Sequence, residues 1–214
     1  YTTFLHPGVD QSNIHGIVLN PMQQSEPSKV AIFGNACYSW NIWTEDEADQ
    51  AWEDSFKYVD HETYEETDAS NALKELSKHM INQNMDDRVT ALQESEVLKA
   101  QLDEFKTKLS SGTLTPADIE AMRAEFQLLV DASETYREAG NSRIVGQIVY
   151  WLDTWDDITA AADLLLNALD AYYVDNTAGL VPDYYTQAQA YLEQAETHGF
   201  WYVDHTEYAE VGVQ

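Results

Sequence analysis

The sequence predicts a mainly α protein, a helical bundle preceded by two β-strands and a helix. Three observations predict it. Apolar residues recur at alternating steps of three and four through much of residues 98–196, the spacing of an amphipathic helix face. Two short apolar runs with β-branched residues stand ahead of residue 40, each ending in polar or aromatic residues. The texture changes sharply near residues 60–68, which divides the 214 residues into an N-terminal part, 1–60, and a helical domain, 61–214.

Ile14 to Leu19 reads as a strand stopped by Asn20-Pro21, because proline donates no backbone hydrogen bond and fixes its own torsion. Lys29 to Tyr38 reads as a second strand, its Val30-Ala31-Ile32-Phe33 run matching parallel strands buried on both faces. Thr44 caps the helix after it, with Glu45, Asp46 and Glu47 in a first turn where the helix dipole favours negative charge. From Asp68 onward the period is helical. Leu98, Leu102, Phe105 and Leu109 mark one helix, stopped by Gly112. Thr115-Pro116 opens the next, with Ile119, Met122, Phe126 and Leu129 on one face. Ile144, Ile148, Trp151, Trp155, Ile158, Ala162, Leu165 and Leu169 keep heptad spacing, which places Trp151 and Trp155 in a core stripe. A last helix covers Tyr184 to Glu196. Short connections between these segments predict antiparallel neighbours in an up-and-down bundle. An apolar stripe left open on that bundle would allow a homodimer.

Charge excludes some functions. With 38 Asp and Glu against 11 Lys and Arg, the formal net of -27 repels phosphate backbones and anionic bilayers, so no nucleic-acid partner is expected. No run approaches the roughly 18 apolar residues of a membrane span, so no membrane insertion is expected. Cys37 is the single cysteine, which rules out an intramolecular disulfide and suits a small buried side chain. The acid runs at Glu45 to Asp49 and Glu62 to Asp68 are helix-start and linker charges, not a facing catalytic pair. A calcium module would need a DxDxDG loop, which does not occur.

One segment echoes another. Phe56 to Glu66 reads FKYVDHETYEE and Phe200 to Glu210 reads FWYVDHTEYAE. Asp60, His61, Asp204 and His205 would be available to a metal if the copies met, but adjacent residues point apart, and the reading is two similar connectors with no metal or other cofactor.

The pieces GIVLNPM, EPSKVAIFG, CYSWN and AWEDSF, over roughly residues 14 to 57, resemble the end of the catalytic barrel in glycoside hydrolase family 84. Its members are β-N-acetylglucosaminidases, O-GlcNAcases and bacterial enzymes often labelled hyaluronidases. The resemblance implies that the two N-terminal strands and their helix close a (β/α)8 barrel, followed by the family's helical domain. In such barrels the C-terminal ends of strands carry the chemistry. The resemblance also implies that Asn20 binds hydroxyls of an N-acetylglucosamine-containing glycan, for which an un-ionised amide with donors and an acceptor is suited; the alternative is a side chain that caps the turn at Pro21. Trp40 either stacks on a sugar face or packs under the cleft floor, and Asn41 either supports the cleft or caps the next loop.

The family's two catalytic aspartates fall on strands upstream of anything in this chain, which begins at Tyr1. The expectation is therefore a C-terminal portion of a retaining, substrate-assisted exo-β-N-acetylglucosaminidase that carries no catalytic residue, is inactive alone, and partners with the missing N-terminal part of the barrel. The resemblance to bacterial carbohydrate enzymes implies a secreted or cell-surface parent. The competing reading is a non-catalytic helical interaction or spacer module.

Overall fold

The computed structural model of the protein describes residues 11–40, 45–61, 64–79 and 95–211. Among them the α-helices are α1 (Lys29–Trp40), α2 (Glu45–His61), α3 (Asp68–Ser77), α4 (Glu96–Ser111), α5 (Pro116–Ala139), α6 (Ser142–Tyr173) and α7 (Val181–Ala195). The strands are β1 (Gly199–Tyr202) and β2 (His205–Tyr208), paired antiparallel. No described helix is long and apolar enough to cross a membrane. The mainly α bundle is thus present. Compact packing divides the chain into two units, Tyr1–Lys74 with Tyr136–Ile148, and Glu75–Thr135 with Val149–Gln214.

The two predicted N-terminal strands are not strands. Ile14 to Leu19 has no regular structure, and Lys29 to Tyr38 lies within α1. The reason is backbone satisfaction. The paired strands among the described residues are β1 and β2, so a strand at 29–38 would have no described neighbour for its N–H and C=O groups, whereas a helix bonds them internally. Pro27 sits in the turn that opens the helix, with Val30 N–H donating to Pro27 O at 3.2 Å. Polar side chains on α1 bond back one turn: Asn35 Nδ2 donates to Ala31 O at 3.0 Å and Ser39 Oγ to Asn35 O at 2.7 Å.

In the first unit α1 packs on α2, with the Phe33 and Tyr58 rings stacked at 5.2 Å and Trp52 edge-on to Phe56 at 4.7 Å. Phe56, Tyr136 and Ile144 are fully or almost fully buried. Thr44, predicted to cap α2, lies outside the described residues. At α3 the cap is reciprocal: Ser70 N–H donates to Thr67 Oγ1 at 3.0 Å and Thr67 N–H to Ser70 Oγ at 2.9 Å.

In the second unit α4 ends where Gly112 takes φ 70°, a left-handed stop that glycine adopts without strain, and Thr113 N–H reaches back to Lys108 O at 2.9 Å. α5 opens on its own capping pair, with Asp118 Oδ2 accepting from Thr115 N–H at 2.9 Å. Trp155 is wholly buried on α6 and donates its indole N–H to Leu129 O on α5 at 2.9 Å. The buried line along α6 is shifted from the predicted stripe. Leu152 and Ala161 are buried, while Leu165 is 38% exposed and Trp151 is half-buried against Phe200. A helix of 3.6 residues per turn drifts from a seven-residue repeat, so a strict heptad does not stay on one buried line along it.

The hairpin was not predicted. Its strand sequence GFWY is aromatic and its turn at Val203 and Asp204 requires a positive φ, 54° at Val203. A Cβ on Gly199 would lie 2.4 Å from Glu207 O, so glycine is required where the strands approach. Thr154 Oγ1 on α6 donates to Ala209 O at 2.8 Å, just past the hairpin.

Candidate functional site

Asn20 sits in the extended approach to α1 and is exposed, as are Pro21 and Met22. The chain a few residues later is anchored: Glu26 N–H donates to Gln147 Oε1 at 2.8 Å, and Gln147 Nε2 to Ser25 Oγ at 3.4 Å. The Asn20 amide is open to solvent and able to give and take hydrogen bonds with a polyhydroxyl ligand. Trp40 ends α1 with 92% of its surface exposed. No hydrogen bond or ring contact joins Asn20 and Trp40 in the described structure. Asn41 lies outside the described residues.

Cys37 is half-buried on α1, not on a strand, and burial followed by the nearby Asp54 carboxylate raises its thiol pKa. That disfavours the thiolate and any nucleophilic use.

The most organised polar centre of the first unit is built on Asp60, which the sequence reading assigned to a connector and the structure places at the end of α2. Asp60 is 1% exposed. Its Oδ1 accepts from the Tyr136 hydroxyl and from the Asn141 backbone N–H, each at 2.9 Å, and its backbone carbonyl accepts from Asn141 Nδ2 at 2.8 Å. His61 Nδ1 lies against Oδ2. Burial, then the Asp60 charge, raises the Tyr136 pKa far above the ordinary tyrosine value, so its proton stays in place as a donor. With Oδ1 occupied twice and solvent excluded, Asp60 is a latch holding the α5–α6 corner to α2, not a catalytic acid. The signal for it was Gly140-Asn141, a helix break whose Asn can bond a carbonyl.

The second copy of the echo behaves differently. Asp204 is 84% exposed in the hairpin turn, where it and Glu207 bracket His205 at 2.9 and 2.8 Å, and these bonds raise the His205 pKa. Asp60-His61 and Asp204-His205 lie in different units, each with its own partners. Among the described residues no group of three or more His, Cys, Asp or Glu side chains is placed to hold a metal.

A family model described as beta-N-acetylglucosaminidase matches residues 1–78, which takes in the Asn20 segment and α1 to α3. The solved structure titled "Structure of CpGH84D" is similar to nearly the whole fold, with a TM-score of 0.80 and 27% identity over 94% of this chain. The match covers 32% of that chain's length, so the present chain spans about a third of that relative.

Proposed function

We propose, from the relation of this chain to glycoside hydrolase family 84, that it is the C-terminal portion of a retaining, substrate-assisted exo-β-N-acetylglucosaminidase. The substrate is an N-acetylglucosamine-containing glycan or glycoprotein, met outside the cell or at its surface. In this reaction the substrate's 2-acetamido oxygen attacks the anomeric carbon as the leaving group departs, and water then opens the cyclic intermediate with net retention. An aspartate pair on upstream strands orients the acetamide and moves the protons. Asn20 binds the sugar hydroxyls and holds the ring in the productive pose, a contribution through orientation and not proton transfer. Trp40 offers a ring face to the same ligand.

The observation that carries this reading is the match over residues 1–78, which includes an exposed Asn20. The test is turnover of 4-nitrophenyl N-acetyl-β-glucosaminide by the parent enzyme, by the parent with Asn20→Ala, and by this chain alone. Losing the amide lowers kcat/KM by about tenfold or more, the equivalent of one or two hydrogen bonds at the sugar. The chain alone gives no turnover. Robust turnover by the isolated chain would show that it has its own acid and base, and an Asn20→Ala parent as active as wild type would remove Asn20 from the sugar site.

A further inference from the structure

Several large apolar side chains stand exposed on the hairpin: Trp201 at 70%, Val203 at 78% and Tyr208 at 57%. The register decides which of them share a face, because residues directly paired across an antiparallel ladder point the same way. Phe200 with Glu207, and Tyr202 with His205, form one face, and Phe200 on it packs against Tyr150 and Trp151 with ring centroids at 5.9 Å. Gly199 with Tyr208, and Trp201 with Thr206, form the other. Trp201 and Tyr208 are therefore diagonal neighbours on the outward face, about 7–8 Å apart at the backbone. Among the described residues neither ring packs on another aromatic ring.

The stretch of sequence that carries the hairpin is acidic. Arg143 is the last Lys or Arg, and the 71 positions after it hold twelve Asp and Glu. At the hairpin itself Asp204, Glu207 and Glu210 are exposed. His205 engages one carboxylate oxygen of Asp204 and one of Glu207, leaving the second oxygen of each open. Two ring faces beside the exposed carboxylates of Asp204 and Glu210 repel anions and leave a purely apolar partner with nothing to offset the charge. They complement a cation, which ring faces attract through their quadrupoles and carboxylates through ion pairs.

We propose that the outward face of the hairpin, centred on Trp201 and Tyr208, docks a Lys- or Arg-rich segment of a second polypeptide. Cationic side chains lie over the two rings, and their neighbours pair with Asp204 at the turn and Glu210 beyond the second strand. This surface is separate from the sugar-binding reading of Asn20 and stands without it.

The test is calorimetric titration of the intact chain with an alternating Arg-Gly peptide at low and moderate salt. Trp201→Ala and Tyr208→Ala leave the net charge untouched and remove exposed rings, so the fold persists, as circular dichroism will verify. Each is expected to weaken binding about fivefold, the loss of one exposed cation–π contact. Glu210→Gln weakens binding chiefly at low salt. The proposal is overturned if the peptide does not bind, or if both ring variants bind as wild type, which would leave only diffuse charge attraction. Tighter, Trp201-dependent binding of a neutral chito-oligosaccharide would overturn it in favour of a glycan platform. A dimer in light scattering that Trp201→Ala dissolves would overturn it in favour of a second copy as the occupant.

Discussion

Replacing Asp60 by alanine tests whether the buried latch holds the first unit together. The substitution strands the Tyr136 hydroxyl, on a residue with no exposed surface, and the Asn141 N–H, both now 2.9 Å from Asp60 Oδ1. Hydrogen bonds to a charged acceptor contribute about 1.5–3 kcal/mol each. Relief from burying a carboxylate offsets part of that loss, so the net cost is about 3 kcal/mol. For a chain of this size that lowers Tm by about 6–12 °C. Asp60→Asn keeps an acceptor oxygen and costs about 1 kcal/mol, while Tyr136→Phe removes one donor and costs about 1.5 kcal/mol. Combined with Asp60→Ala, Tyr136→Phe adds less than its single effect, because the shared bond is already gone.

The internal control is Asp204→Ala, which sits in the same YVDH sequence but 84% exposed. It is expected to change stability by no more than about 0.5 kcal/mol. The assay is urea unfolding followed by circular dichroism and tryptophan fluorescence, with thermal scans alongside. If Asp60→Ala and Asp204→Ala fall within about 0.5 kcal/mol of each other, the latch contributes nothing and the reasoning fails.

Three further outcomes are expected. Glu75 is held down to about 2 by its hydrogen bond from His79 and by Lys78, below its ordinary 4.5, so its contribution is complete above pH 4.5 and fades as pH falls toward 2. Because its side chain is about a third exposed, that contribution is about 1 kcal/mol after screening; Glu75→Gln should flatten the acid limb of stability between those pH values, and an unchanged limb would contradict it. Gly112→Ala meets no atom but forces φ 70° on an L side chain, which costs about 1 kcal/mol in urea unfolding, whereas Gly112→Asn costs less. Trp155→Ala empties the centre of the second unit and frees Leu129 O, for a loss of about 3–5 kcal/mol and a shifted thermal midpoint.

The bundle was legible because its signals are local and agree with one another. Gly112 and Thr115-Pro116 bound two helices in the sequence and do so in the structure, since a left-handed stop and a capped proline start need no distant partner. The stretch from Lys29 to Trp40 was misread because a continuous apolar run does not separate a buried strand from a helix. Its twelve-residue length, with Pro27 in the opening turn and Asn35 and Ser39 spaced one turn apart, was the signal for a helix. The two YVDH copies show the limit most directly. One closes a helix whose aspartate is buried under Tyr136, and the other turns a hairpin whose aspartate faces water. Four shared residues do not choose between these states. The choice comes from Gly199, which admits the second strand, and from Asn141 and Tyr136, which are about eighty positions away from Asp60 in sequence.

The Asn20 segment carries the side chains of a strand without forming one. Ile17, Val18 and Leu19 are 41%, 98% and 39% exposed, although their side chains are those of an interior strand. Burying the exposed part of such a run is favourable, by up to about 1.5–3 kcal/mol for a side chain as exposed as Val18. The run therefore favours any arrangement that gives it a sheet neighbour. In the proposed enzyme that neighbour is the rest of the barrel. Pairing would stop at Pro21 and leave Asn20 at the end of the strand, where barrel enzymes place the groups that meet substrate. The sugar pose then depends on the strand as much as on the amide. Val18→Asp should lower turnover of the parent enzyme while leaving the stability of the isolated chain within about 0.5 kcal/mol of wild type. Equal turnover by the Val18→Asp parent would detach Asn20 from any barrel strand.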